Sequence, residues 1–125
     1  MLIENLQEHS TALLLDPHFA IPYSMNIFNP KKGLVVTLED SIFLDTDEGR
    51  ISQNIDNWSV SKIKRMGADA VKVLAWYRPD SGKRVLEAQQ QYVQKIGDEC
   101  ANHDILFLFE LLAVSYTHLR AHETK

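Results

Sequence analysis

Cysteine is almost missing from this chain. Cys100 is the single one in 125 residues, so no internal disulfide can form. It falls in an amphipathic stretch and reads as a small buried hydrophobe rather than a nucleophile. A reducing cytoplasm is the expected location. Long apolar runs are missing too: none approaches the roughly 20 residues of a membrane span. Met1-Leu2-Ile3-Glu4-Asn5 lacks the basic-then-apolar pattern of a secretory signal. There is no excess of positive charge. Thirteen Lys and Arg against 17 Asp and Glu leave a net charge of −4, which gives no electrostatic footprint for nucleic acid and no reason to expect a membrane partner. No Gly-x-Gly-x-x-Gly and no P-loop follow any candidate strand, which weakens a nucleotide-binding reading. What remains is an ordinary globular composition, 45% hydrophobic and 24% charged, enough for one small domain or a piece of a larger one.

Two apolar runs organise the rest. Gly67-Ala68-Asp69-Ala70-Val71-Lys72-Val73-Leu74-Ala75-Trp76 reads as a buried strand with a lysine in its middle. Ile105-Leu106-Phe107-Leu108-Phe109-Glu110-Leu111-Leu112 reads the same way, with a glutamate. Burying either charge alone costs several kcal/mol. Opposite charges on two such strands imply a polar site inside an apolar scaffold, or else a structural ion pair.

The remaining elements follow in order. Residues 1–10 read as a helix with Leu2, Ile3 and Leu6 as its apolar stripe. Residues 11–15 form a short strand that stops at Asp16-Pro17, because proline cannot donate to a ladder. Asp16 is either a turn-forming residue or a carboxylate at the rim of a parallel sheet. Residues 18–29 are loop with one helical turn. Residues 33–38 form a second strand, ending at Glu39-Asp40, and residues 45–53 a long polar loop. Residues 57–66 read as a helix burying Trp58, Ile63 and Met66, with Gly67 as its stop. After the lysine strand comes a turn at 78–82. A helix over 85–100 then presents Val85, Leu86, Tyr92, Val93 and Ile96 on or near one face, and 102–104 breaks it. Strands alternating with helices imply an α/β fold with parallel strands and crossover helices, both strand faces covered. An open doubly wound sheet and a TIM barrel both fit.

The last residues break the pattern. His118 and His122 are four apart, a spacing that can hold a metal on a helix. The stretch from Val114 to Lys125 resembles translated sequencing-adapter sequence, and on that reading 113–125 is an artefactual tail outside the fold.

Five segments in order resemble one family: Leu14-Leu15-Asp16-Pro17, Trp58-Ser59-Val60, Gly67-Ala68-Asp69-Ala70-Val71-Lys72, Ile96-Gly97-Asp98-Glu99-Cys100 and Phe109-Glu110-Leu111-Leu112. Together they are similar to the class I tagatose-1,6-bisphosphate aldolases. The resemblance implies a (β/α)8 barrel that cleaves a phosphorylated ketose through a lysine imine, with no metal or other cofactor. It implies a small phosphorylated sugar as partner, and it is compatible with a homo-oligomeric parent. A barrel runs to about 250 residues, so 1–112 is expected to be a fragment with about four strands, inactive alone.

By the same resemblance Glu110 matches the family's acid/base glutamate, and Lys72 its supporting strand lysine. Asp16 matches an aspartate at the barrel mouth. Glu39 and Arg50 fall where the family also has a glutamate and an arginine, and are taken as substrate-binding. Arg78 is either a phosphate contact or a solvated surface arginine. The imine-forming lysine is expected on the strand after Glu110. The rival expectations are a branch acting on a sulfonated fructose phosphate and a small non-enzymatic α/β module.

Overall fold

The computed structural model describes residues 2–113. The order is α1 (Leu2–Glu8), β1 (Ala12–Leu15), α2 (Ala20–Ser24), β2 (Gly33–Thr37), β3 (Leu44–Thr46), β4 (Gly49–Ile51), α3 (Val60–Arg65), β5 (Ala70–Tyr77), α4 (Lys83–Asn102) and β6 (Leu106–Ala113). The main sheet has four strands in the order β1-β2-β5-β6, and every pair is parallel. Each long strand lies beside the previous one in the chain. Consecutive strands of a (β/α)8 barrel are arranged this way, whereas a doubly wound sheet reverses direction at a switch point.

Strand alternation divides the side chains between two faces. Leu34, Val36 and Leu38 from β2 and its extension join Val71 and Val73 of β5 against the helices. There they meet Val60 and Ile63 of α3 and Ile96 and Cys100 of α4. Fully burying an Ile or Val side chain stabilises by about 1.5–3 kcal/mol, so this one layer dominates the fold. The opposite face carries Leu14, Val35, Lys72, Leu108 and Glu110 by the same alternation.

The helix boundaries follow from capping. Residues 57–59 stay outside α3: Asn57 adopts φ 57°, and Ser59 is extended and caps the helix, its hydroxyl accepting from Lys62 N at 3.2 Å. Lys62, Lys64 and Arg65 sit in the last turn, where cations complement the helix dipole. Gly67 then turns the chain into β5 at φ +93°. α4 starts two residues before the expected Val85 and runs on to Asn102.

Three expectations are corrected. Leu2 and Leu6 are exposed, and of the α1 stripe only Ile3 packs against the core. The polar loop over 45–53 contains an antiparallel hairpin, β3–β4, pairing Leu44 with Ile51 and Thr46 with Gly49. Its strands are three residues long and mostly polar, so no apolar alternation announces them. Nor is β6 covered on both faces among the described residues: it is the edge of their sheet, and Leu106, Leu108, Phe109 and Leu111 are exposed. Residues 114–125, and with them His118 and His122, lie outside the described residues.

A β-carbon at Gly67 would meet nothing within 4 Å, so only its backbone angle resists substitution. Gly67→Ala is expected to cost about 1–2 kcal/mol, and Gly67→Asn less, because Asn tolerates a left-handed backbone. Urea unfolding midpoints of the two variants check this.

Candidate active site

Lys72 lies in the middle of β5, and its ammonium reaches sideways in both directions. Its Nζ is 2.9 Å from Oε1 of Glu39, at the end of the β2 extension, and 3.2 Å from Oε2 of Glu110 on β6. Three adjacent strands therefore meet at one cation. Parallel pairing sets this up: Thr37 is opposite Lys72, and Leu74 is opposite Glu110. Each carboxylate thus sits two positions toward the C-terminal end of the sheet, on the same face as the lysine.

The two ion pairs are unequal. The Lys72 and Glu39 side chains are 15% and 8% exposed, while that of Glu110 is 55% exposed. Glu39 accepts a hydrogen bond from Lys72 through Oε1. Its other oxygen, Oε2, is buried without a hydrogen-bond partner. A buried carboxylate oxygen left unpaired costs on the order of 1–3 kcal/mol or more. It is an acceptor waiting for a donor, beside an ammonium and a solvent-facing carboxylate.

The other residues singled out in the sequence lie around this set. Asp16 follows β1 at its C-terminal end, where the turn-forming reading holds. Its carboxylate is engaged locally: Oδ1 accepts from His18 N at 3.0 Å and Phe19 N at 2.7 Å, Oδ2 from Ala20 N at 3.2 Å. Arg50 is on β4. Its guanidinium pairs with Asp45 at 3.0 Å and lies 5.1 Å from the centre of the Trp76 ring; Phe43 meets Trp76 edge-on at 5.4 Å. Arg50 therefore belongs to an aromatic cluster at the rim rather than to the carboxylates around Lys72. Arg78 pairs with Asp80 at 3.2 Å. It shares with Arg50, Trp76 and Ser81 the lining of a cavity of about 200 Å³.

Sequence reasoning missed the polar residues behind the site. Gln89 is buried, with Oε1 accepting from Ser52 N at 2.7 Å and Nε2 donating to Ser52 Oγ and to Trp76 O, each at 3.0 Å. Tyr92 donates to Asn54 Oδ1 at 2.8 Å. One signal was available: Val85, Gln89, Tyr92, Ile96 and Cys100 recur at helical spacing, and a glutamine in that stripe is out of place unless it is hydrogen-bonded. Among the described residues no group of three or more His, Cys, Asp or Glu side chains is arranged to hold a metal ion. No helix among them is long and apolar enough to cross a membrane.

A family profile described as DeoC/LacD family aldolase matches residues 2–119. The chain belongs to the DeoC/LacD aldolase family. Among the relatives of this family member, the tagatose 1,6-diphosphate aldolase of Streptococcus pneumoniae strain ATCC BAA-255 / R6 is 34% identical over 113 residues, covering 90% of this chain and 34% of the relative. Tagatose 1,6-diphosphate aldolase 2 of Streptococcus pyogenes serotype M3 is 35% identical over 112 residues, covering 90% and 34%. Tagatose 1,6-diphosphate aldolase 1 of Streptococcus mutans is 32% identical over 117 residues, covering 94% and 36%. The chain thus spans about a third of the length of the curated relatives it matches.

Two outcomes follow from the unequal burial. Lys72→Met strands a buried Glu39 carboxylate and should destabilise by about 3–5 kcal/mol, whereas Glu110→Gln removes an exposed pair and should cost about 1 kcal/mol or less. The double variant Lys72→Met/Glu39→Gln should recover most of the loss, and urea unfolding compares all three. Cys100 supplies the second outcome. Burial, with Glu99 nearby, pushes its thiol from the ordinary 9.0 up to about 11. Between those values the unfolded chain has released a proton that the folded chain retains. Stability therefore falls as pH rises from 9 to 11, and Cys100→Ala should flatten that decline in a pH series of melts.

Proposed function

We propose that this chain carries part of the active site of a class I aldolase acting on a ketose bisphosphate, with tagatose 1,6-bisphosphate as its substrate. The single observation that carries the reading is Lys72 held between Glu39 and Glu110, in a chain of an aldolase family. The names of its relatives support the substrate.

The chemistry that fits is cleavage through an imine. A neutral lysine amine of the longer protein attacks the substrate ketone, and loss of water from the carbinolamine leaves an imine. The C3–C4 bond then breaks: the C4 hydroxyl loses its proton, glyceraldehyde 3-phosphate departs, and the electron pair moves into an enamine. Protonation of the enamine and hydrolysis of the imine release dihydroxyacetone phosphate. Glu110, the open carboxylate, moves the protons. Lys72 holds both carboxylates in place beside the reacting amine. Glu39, closed in beside Lys72, anchors that ammonium from the side away from Glu110. Asp16 shapes the rim of the mouth, and Arg50 faces the substrate from the hairpin. The setting of this chemistry is the cytoplasm, and no metal enters the sequence of steps.

The test is reductive trapping. Incubation of the 125-residue chain with tagatose 1,6-bisphosphate and borohydride is expected to leave Lys72 unmodified by mass spectrometry. In the full-length protein the same treatment should mark another lysine. There, Glu110→Gln should lower kcat by about 10²–10⁴-fold. A reduced adduct on Lys72, or an unchanged kcat in Glu110→Gln, would overturn the assignment.

A further inference from the structure

Glu39 is held in place from behind by α4, through segment 52–55. Residues 53–55 run antiparallel to residues 38–40. Asp40 N donates to Gln53 O at 2.8 Å, Ile55 N donates to Leu38 O at 3.0 Å, and the Glu39–Asn54 bridge lies between them. Leu38 N donates in turn to Lys72 O at 3.0 Å. The backbone that presents the Glu39 carboxylate is thus pinned between β5 on one side and segment 52–55 on the other.

Segment 52–55 is fixed by two side chains of α4, three residues apart. Gln89 is 5% exposed and Ser52 4%. Gln89 uses its carbonyl oxygen and its amide group together, on Ser52 N, Ser52 Oγ and Trp76 O. Only one amide orientation satisfies these partners, since a backbone N–H needs an acceptor and a backbone carbonyl needs a donor. Tyr92 donates to the side chain of Asn54, the residue paired with Glu39. Burial, with Glu39 and Glu99 nearby, pushes the Tyr92 phenol above its ordinary value, which favours the protonated, donating form. Packing alone would be met by apolar residues at both positions, and a buried amide is costly unless bonded.

We propose that Gln89 and Tyr92 are positioning residues. Through Ser52 and Asn54 they fix the Glu39 carboxylate against Lys72. The inference rests on the reading of Glu39, Lys72 and Glu110 as the reacting site, because misplacement by about 1 Å at such a site can cost on the order of 10²-fold in rate.

The experiment reads Lys72 itself and needs no turnover, so it fails or succeeds separately from the aldolase assignment. The 125-residue chain is acetylated briefly with an N-hydroxysuccinimide ester, and the rate at Lys72 is measured by mass spectrometry relative to exposed Lys31. Amide exchange of β2 and β5 is followed in parallel. Tyr92→Phe and Gln89→Leu should each speed labelling of Lys72 by roughly threefold to tenfold, the equivalent of one lost hydrogen bond, with β5 protection unchanged. Glu39→Gln sets the upper limit. Should Gln89→Leu lose β5 protection, Tyr92→Phe, which removes a single oxygen, decides alone. An unchanged Lys72 rate in Tyr92→Phe would overturn the proposal, and so would a rise accompanied by loss of β5 protection.

Discussion

One ammonium between two carboxylates is the constraint on which the polar face of this sheet depends. A lysine in the middle of an apolar strand is tolerated only where neighbours neutralise it. Here the neighbours come from the strands on either side, Glu39 at 2.9 Å and Glu110 at 3.2 Å. That requirement fixes more than a charge. The β2–β5 and β5–β6 registers must be those that place both carboxylates on the lysine's face. A slip of one residue in either pair would move a carboxylate among the apolar side chains beneath the helices.

The asymmetry of the trio sets what each member can do. Glu39 is closed in and keeps one oxygen without a donor, while Glu110 faces outward. Two carboxylates in different surroundings around one cation can divide binding from proton transfer, which two equivalent carboxylates could not do without competing. Arg50, stacked on Trp76 at the rim, adds a cation whose position is set by an aromatic face rather than by the trio.

Much of this arrangement was legible in the sequence, for physical reasons. Lys72 and Glu110 stood out because a charge in an apolar strand demands a partner. Gly67 and Pro17 marked boundaries because their backbone chemistry does, whereas the cap at Ser59 was not read and the helix was expected to begin at residue 57. Alternating strands and helices gave the parallel topology, while chain order alone left barrel and doubly wound sheet open. The hairpin at 44–51 was not legible, since strands of three polar residues have no period to read. Asp16 carried two readings, and only coordinates could show that its oxygens bind the backbone of His18, Phe19 and Ala20. Gln89 was missed because attention to an apolar stripe passes over the polar residue within it.

The strand order has a consequence for the way the chain acquires its structure. Each parallel strand pairs with one that precedes it, so nothing in β1-β2-β5-β6 waits for a distant partner. A chain emerging from the ribosome could lay down this sheet one strand at a time, from the N-terminal side onward. The newest strand of such a sheet is always an open edge, and among the described residues β6, with its exposed leucines, is one. Vectorial growth of this kind makes the growing edge, rather than the finished core, the place where synthesis and self-association compete.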